Sequence, residues 1–174
     1  MADPDGPGTL MYFTARAPGI AEANGGGAIG FATSPDLYTW TLQPPLFIGG
    51  MGQLEVPQVF AVGARWYCLF CTSLFQWSDA CRAFTSQSPV TGSHYLMADT
   101  PRCPWHMAPG PFLDGSLPCR RYAARIVDTR DGLCIMGFAH GETGHFGGYV
   151  MDPDPVTPDQ YGLLHVTPTQ KPAE

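Results

Sequence analysis

Glycine and proline recur along the whole chain, and their abundance limits the folds that it can adopt. Glycine (21) and proline (18) together fill 39 of the 174 positions. Both residues destabilise a helix interior, so the sequence excludes helical bundles and coiled coils. Aromatic residues make up 12% of the chain and apolar residues 44%, which is enough to build a core and argues against intrinsic disorder. We therefore predict a turn-rich, all-β protein.

The charge of the chain argues against one class of partner, and the length of its apolar runs against another. The net charge is -6, Lys171 is the only lysine and no basic run exists, so the chain lacks the electrostatic footprint of a nucleic-acid-binding protein. No stretch approaches the roughly 18 apolar residues of a membrane span, and we expect no membrane association. The N-terminal residues M-A-D-P-D-G-P-G lack the basic and apolar regions of a signal peptide, which favours a cytoplasmic location.

The six cysteines form neither a recognisable disulfide framework nor a zinc set. Cys68 and Cys71 make a C-x-x-C, but they lie in R-W-Y-C-L-F-C-T-S, an apolar pattern typical of a strand. We predict buried, reduced thiols and neither a metal nor a cofactor. His140 and His145 have Glu142 between them, and this spacing leaves a metal site in a loop open as an alternative.

Short β-type runs recur between turns rich in glycine, proline and aspartate. Two pairs of runs predict hairpins, 55–62 with 66–72 and 122–128 with 133–139. The other predicted strands are 9–15, 28–33, 38–42, 94–99, 146–151 and 161–166. A short helical turn is expected within 77–85, and no segment shows a longer helical period.

The strands form a larger repeat, because each hairpin is followed by a third strand that ends in an acidic-proline turn. These turns are S-P-D-L at 34–37, A-D-T-P at 98–101 and M-D-P-D-P at 151–155. Units of about 60 residues with four antiparallel strands are what a β-propeller blade requires. We predict a single domain, a partial propeller with blades at about 1–53, 54–118 and 119–170. A β-sandwich of ten to twelve strands is the alternative.

The first predicted blade lacks its innermost strand, and three blades do not close a ring. Propellers close their ring to avoid exposed strand edges. The predicted domain is therefore either part of a longer chain or a module whose open blade edges associate with another copy. A homo-oligomer formed in this way is the second of these two expectations.

Three motifs resemble the glycoside hydrolase families 32, 43 and 68, which are five-bladed propellers acting on fructosyl and related groups. A-T-S-P-D-L-Y-T-W at 32–40 is similar to the stretch that ends a blade in those families. L-E-V-P-Q-V-F at 54–60 is similar to the family 32 strand whose glutamate is the general acid/base, and Y-A-A-R at 122–125 resembles the strand that opens the following blade. The resemblance, closest to family 32, implies that Glu55 is the acid/base. It also implies that the side chains of the strand with Y-A-A-R face a central pocket.

Two family motifs are missing from the chain. The N-D-P-N-G motif with the nucleophilic aspartate is absent, and at the candidate R-D-P motif Ala2 stands where the family has arginine. The segment from Asp3 to Gly6 is better explained as a solvated turn than as that motif. Retaining glycosidases need two carboxyl groups about 5–5.5 Å apart. The chain alone is therefore expected to be catalytically deficient, with its nucleophile outside this sequence or absent.

The candidate site residues follow from the chemistry of sugar cleavage and sugar binding. Glu55 is the catalytic candidate, with an exposed strand-end glutamate as the alternative. Sugar binding needs aromatic platforms and fixed hydrogen-bond donors, and each candidate for it also has a structural alternative. For Arg125 that alternative is an ion pair with an acidic neighbour. The substrate-binding candidates are Gln58, Tyr122 and Arg125, with His140 as a further one.

The remaining acidic and aromatic residues are expected to be structural. Asp128 is expected to be exposed, and Asp114 to serve a turn or the rim of the pocket. Trp66, Trp77 and Phe70 are expected in the core. The leading hypothesis is a partial propeller related to enzymes that act on furanosidic sugars such as β-fructosides. The alternative is a non-catalytic carbohydrate-binding propeller fragment that self-associates.

Overall fold

The computed structural model describes residues 1–85, 87–102, 104–141 and 147–169, with Phe84 described by its backbone alone. Within these ranges the protein is built almost entirely of antiparallel strands in three sheets. The first sheet holds β1 (Thr9–Arg16), β2 (Gly27–Ser34) and β3 (Thr41–Ile48). The second holds β4 (Glu55–Val62), β5 (Arg65–Thr72), β6 (Thr91–Ala98), β7 (His106–Met107) and β8 (Asp114–Ser116). The third holds β9 (Arg121–Thr129), β10 (Gly132–Ala139), β11 (Asp154–Pro158) and β12 (Leu164–Val166).

The strand order within each sheet is that of a propeller blade. The orders are β1-β2-β3, then β4-β5-β6-β7 with β8 also paired to β6, then β12-β11-β10-β9. This arrangement confirms the prediction of an all-β partial propeller, and we call the three sheets blades 1, 2 and 3. Blade 1 has three strands where blade 3 has four, as expected for a blade without its innermost strand.

β5 shows how the sequence builds the core, because its two faces serve two different blade contacts. Successive side chains of a strand point to opposite faces. Cys68 and Phe70 pack in the core between blades 1 and 2, whereas Tyr67 and Leu69 pack in the core between blades 2 and 3. All four are at most 1% exposed. A middle blade is buried on both faces, which explains why R-W-Y-C-L-F-C-T is apolar without alternation.

The S-P-D-L motif builds the turn between β2 and β3. The Ser34 hydroxyl accepts a hydrogen bond from the Leu37 N–H at 2.8 Å. Asp36 accepts bonds from the Thr39 and Tyr38 N–H groups, and these bonds lower the pKa of its carboxyl. The predicted strand 38–42 is therefore wrong at its start, because these turn bonds hold Tyr38 and Thr39 and β3 begins only at Thr41.

Several strand boundaries differ from the predictions at the edges of the blades. The segment 149–151 forms only an isolated bridge, Phe138 with Val150, and the first residue of the predicted strand 146–151 lies outside the described residues. The third strand of this blade comes later, as β11, which starts inside the predicted acidic-proline turn at 151–155 and continues beyond it to Pro158. The predicted strand 161–166 shortens to β12 because 159–163 forms a turn held by Asp159. The expected helical turn is α1 (Asp79–Phe84).

The prediction of buried cysteines and core aromatic residues is correct for three cysteines and two of the three aromatic residues. Cys68, Cys71 and Cys119 are buried and free, and Cys81 and Cys134 are half-buried and free, while Cys103 lies outside the described residues. Trp77 and Phe70 are buried, and Trp66 packs against the same core from a half-buried position. In the part of the chain that the structure describes, no helix is long and apolar enough to cross a bilayer.

His94 is a titratable group inside the core of blade 2. It is 3% exposed, its ring stacks on Phe112, and its Nε2 lies 3.0 Å from the carbonyl oxygen of Ala108. Because a carbonyl only accepts, Nε2 carries the proton, and the buried Nδ1 has no partner among the described residues. Burial lowers the pKa of His94 to about 4.

We predict that His94 makes the protein less stable in mild acid. The unfolded chain binds a proton below about pH 6.5 and the folded one only near pH 4, so the free energy of unfolding falls between these values. The expected loss from pH 7 to pH 4 is about 2–3 kcal/mol, measured by urea unfolding. His94→Gln keeps a donor for Ala108 but does not titrate, and its profile should lack this loss. Identical profiles for the two proteins would contradict a buried neutral imidazole.

Candidate functional site

Glu55 is the first residue of β4, where the strand begins with a bulge. Between the pairs Glu55–Cys71 and Gln58–Leu69, two residues of β4 stand opposite one residue of β5. The first of them, Val56, has a φ of 47°, a left-handed conformation that costs roughly 1–2 kcal/mol for a residue with a Cβ atom. Bulges of this kind re-aim neighbouring side chains and recur next to active sites.

The start of β9 carries the same irregularity one blade further along. The pairing with β10 shifts between Met136 and Phe138, directly after Tyr122, and Ala123 has a φ of 48°. Tyr122 therefore holds in β9 the place that Glu55 holds in β4. Because consecutive blades repeat one unit, the two side chains start from the same level of neighbouring inner strands.

The Tyr122 hydroxyl donates a hydrogen bond to Oε2 of Glu55 at 2.5 Å. Burial, then the hydrogen bond and the charge of Glu55, raise the pKa of Tyr122 well above its ordinary value, so the phenol stays a donor at any physiological pH. The bond uses one carboxylate oxygen, and Oε1 has no partner among the described residues. The structure thus brings together two of the predicted site residues from two different blades.

Gln58 and Arg125 join blades 2 and 3 to each other. The Gln58 amide donates to the Ile126 carbonyl and accepts from the Ile126 N–H, both at 2.8 Å. In the opposite direction, the Arg125 guanidinium donates to the Val56 carbonyl. The alternative for Arg125, an ion pair with an acidic neighbour, is wrong, since the partners of its guanidinium are the backbone carbonyls of Val56 and Ala124. Substrate binding by either residue stays a prediction, because both side chains already hold the inner strands together.

Arg121, directly before Tyr122, is the centre of a buried ion cluster that the sequence reasoning missed. Its side chain is fully buried and lies 2.6 Å from both Asp114 of β8 and Asp154 of β11. Arg120 also contacts Asp154, at 2.9 Å. Burial of Asp154 opposes ionisation, but the Thr169 N–H and the two arginines outweigh it and hold the pKa of that carboxyl far below its usual range.

A cleft of about 490 Å³ opens beside Tyr122. Phe75 and Leu117 line the cleft, and their exposed fractions are 82% and 70%. The His140 ring lies 5.4 Å from that of Tyr122. The other residues that line the cleft are Ser73, Leu74, Thr91, Pro118, Cys119 and Gly141. Burial raises the pKa of Cys119 to about 11, so this thiol is not a nucleophile at neutral pH.

The other acidic candidates serve structural roles. Asp3 lies in the turn before β1, as predicted, but it is not solvated: its side chain is 13% exposed and pairs with Arg102 of blade 2. Asp114 begins β8 and pairs with Arg121, so the expectation of a turn or a pocket rim is wrong for it, and Asp128 is exposed as expected. No group of three or more metal-ligating side chains occurs within the described residues. Two of the three residues of the H-x₄-H alternative, Glu142 and His145, lie outside them.

Comparison with solved structures identifies the fold. An inulosucrase from Halalkalicoccus jeotgali bound to kestose superposes with a TM-score of 0.74 at 18% identity, over 95% of this chain and 48% of that one. A levansucrase from Gluconacetobacter diazotrophicus gives 0.72 at 16%, over 95% and 43%. The chain has the fold of a partial β-propeller. A full-length β-fructofuranosidase from Microbacterium saccharophilum K-1 gives 0.72 at 15%, over 95% and 41%.

These comparisons concern the fold, because the identities are all below one fifth. The chain spans about half the length of these propeller structures, or somewhat less. No protein-family model matches the sequence, and no curated protein matches it. The propeller fold predicted from the S-P-D-L and L-E-V-P motifs is confirmed by structure rather than by sequence similarity.

We predict that Gln58 is required for stability. Gln58→Ala leaves the N–H and the carbonyl of Ile126 without their partners, and each unsatisfied group costs about 1–3 kcal/mol. The expected loss in the free energy of unfolding is about 2–4 kcal/mol, measured by urea unfolding. Gln43→Ala is the matched control, because Gln43 makes a single bond to the Thr33 hydroxyl in blade 1. Equal effects of the two substitutions would contradict the role of Gln58 between blades.

Proposed function

We propose that this propeller fragment acts on, or derives from a protein that acts on, β-fructosidic sugars, with Glu55 as general acid/base. The observation that carries the proposal is the Glu55–Tyr122 pair at the start of two neighbouring inner strands. A glutamate held by one oxygen keeps its other oxygen available for proton transfer to a leaving group or from a water. The solved structures with this fold are named as an inulosucrase bound to kestose, a levansucrase and a β-fructofuranosidase, which supports the choice of sugar.

Glu55 would give its proton to the glycosidic oxygen and then take one from the attacking water. A retaining mechanism also requires a nucleophilic carboxylate on the other side of the sugar. The carboxylates that this chain offers near the blade contacts are engaged elsewhere: Asp3 pairs with Arg102, and Asp114 and Asp154 pair with Arg121. We therefore propose that the chain alone is inactive or weakly active and that the second carboxylate comes from outside it.

The cleft beside Tyr122 would bind the sugar. Exposed rings stack on the apolar face of a pyranose or furanose, and Phe75 with His140 supplies such surfaces next to Tyr122. Gln58 and Arg125 would contribute through the inner-strand backbone that they position rather than through free side-chain donors. The partner we propose is thus a carbohydrate.

In a chain that retains weak hydrolysis of sucrose, inulin or an aryl β-fructoside, we predict that Glu55→Gln lowers this hydrolysis by about 10²-fold or more, since general acid/base catalysis contributes about 10²–10⁴-fold. Glu22→Gln is the matched control, because Glu22 is paired with Arg16 on the surface of blade 1. Hydrolysis by the wild type that survives equally in both variants would overturn the catalytic role of Glu55.

A second candidate function is a non-catalytic carbohydrate-binding fragment that self-associates. It is favoured by large apolar side chains left exposed on the outer blades, Leu42 at 74% in blade 1 and Tyr149 and Val150 at 59% and 66% in blade 3. Calorimetry with β-fructosides showing binding without turnover, together with a dimer or larger species in light scattering, would support this candidate. A non-binding monomer would contradict it.

A further inference from the structure

Blade 2 contains a cavity of about 240 Å³, which we call the blade-2 cavity. Residues of the segment 77–87, which includes α1, line it on one side, and residues of the segment 107–112 line it on the other. None of the described residues that line it belongs to a strand of blade 1 or blade 3. It also shares no described lining residue with the cleft beside Tyr122. The cavity is therefore a feature of the middle blade and separate from the candidate site.

Hydrogen bonds between distant segments hold the walls of the blade-2 cavity in place. The indole N–H of Trp77 donates to the Val90 carbonyl at 3.0 Å, and the backbone of Trp77 forms a bridge with that of Met51. The Gln87 side-chain oxygen accepts a hydrogen bond from the Phe112 N–H at 3.1 Å, which ties the two walls to each other. Ligand sites are usually formed before the ligand binds, and fixed walls of this kind meet that requirement.

The walls are rich in aromatic and thioether side chains. Phe112 stacks on Trp77 with ring centroids 4.9 Å apart, and on His94 with ring centroids 4.8 Å apart. Met51 and Met107 line the same cavity. Methionine side chains adapt to the shape of a ligand, and their sulfur makes favourable contacts with aromatic rings. Such walls offer an aromatic ring many contacts, whereas water finds few polar partners there.

The described residues that line the cavity carry no charge at neutral pH. None of them is Asp, Glu, Lys or Arg. Burial lowers the pKa of His94 to about 4 and raises the pKa of the Cys81 thiol, so both side chains are neutral. Thr85 and Gln87 add neutral polar groups that can bond a hydroxyl. A charged ligand would lose its hydration without gaining a counter-charge, so the cavity suits an uncharged one.

The volume of the cavity limits the size of its ligand. An apolar protein cavity of about 150 Å³ binds benzene, and drug-sized ligands occupy pockets of roughly 300–1,000 Å³. The blade-2 cavity lies between these sizes. It therefore has room for one aromatic ring with one or two small substituents.

We infer that the blade-2 cavity binds a small uncharged aromatic molecule, a single ring that carries a hydroxyl group. The ring would lie among Trp77, Phe112 and the two methionines, and the hydroxyl would lie beside Thr85 and Gln87. The inference does not depend on the proposed activity, because neither Glu55 nor Tyr122 lines this cavity.

The test is a titration of the full chain with p-cresol, followed by NMR of ¹³C-labelled methionine methyl groups. The ring current of bound p-cresol should shift the resonances of Met51 and Met107, which line the cavity. The resonances of Met11 in β1 and Met136 in β10 serve as internal controls and should not move. An unchanged spectrum at millimolar p-cresol, or equal shifts at all four methionines, would overturn the inference.

Two analogues test the chemical class of the ligand. 4-Methylbenzoate has the same methylated ring with a charged group in place of the hydroxyl, and it should bind at least about tenfold more weakly than p-cresol. 4-Methylcyclohexanol keeps the hydroxyl but lacks the aromatic ring, and it should bind about threefold or more weakly. An affinity for either analogue that equals or exceeds that for p-cresol would rule out the assigned class.

A pair of cysteine substitutions tests the location of the site. Cys81→Phe fills part of the cavity and should weaken p-cresol binding by on the order of tenfold or more. Cys134→Phe is the matched control, because Cys134 is a half-buried cysteine of blade 3 outside the cavity, and it should leave binding unchanged. Equal affinities of the two variants would contradict this location. The methionine titration needs no variant, so it decides the question even if Cys81→Phe does not fold.

Discussion

The fold of the candidate site depends on one buried cation, the Arg121 guanidinium. Its side chain is fully buried, and its charge is balanced by Asp114 from blade 2 and Asp154 from blade 3. Removing one partner of such a buried cluster costs about 3–5 kcal/mol, because the remaining charge stays out of water without compensation. The cluster therefore holds β8 and β11 together at the point where β9 begins. The next residue is Tyr122, whose direction towards Glu55 is set by this anchor.

A second set of contacts continues the junction along the inner strands. Gln58 bonds the backbone of β9, and Arg125 bonds the backbone of β4. The bulges at Val56 and Ala123 align Gln58 and Arg125 with their backbone partners. They require a left-handed backbone at two residues that are not glycine. Strain of this kind persists only where the surrounding structure determines it. The site is thus assembled across a blade boundary rather than within one blade.

The sequence predicted the parts of this arrangement that depend on local patterns. Strand alternation and turn residues located β1, β2, β4, β5 and β10, and the motif resemblance placed Glu55 at the head of an inner strand. β3 and β11 lie later in the chain than predicted. Side-chain hydrogen bonds in the S-P-D-L turn delay the start of β3, and the third strand of blade 3 starts only at Asp154.

Long-range partners were not predictable from one sequence. Arg121 lies just before the predicted strand 122–128 and no role was predicted for it, since its partners lie 7 and 33 positions away and no local spacing marks them. Gln58 and Arg125 are of residue types that often bind sugars. Only the packing of blade 2 against blade 3 shows that their polar atoms form hydrogen bonds with backbone groups. Glu55 and Tyr122 were each predicted as site residues, but the hydrogen bond between them forms only because blades 2 and 3 pack against each other.

A double-mutant cycle between Glu55 and Tyr122 tests most directly whether the site is built across the two blades. The free energy of unfolding is measured in urea for the wild type, Glu55→Gln, Tyr122→Phe and the double variant. A hydrogen bond to a charged group contributes about 1.5–3 kcal/mol, so a coupling energy of at least about 1 kcal/mol is predicted. Additive effects, with a coupling energy near zero, would contradict the account.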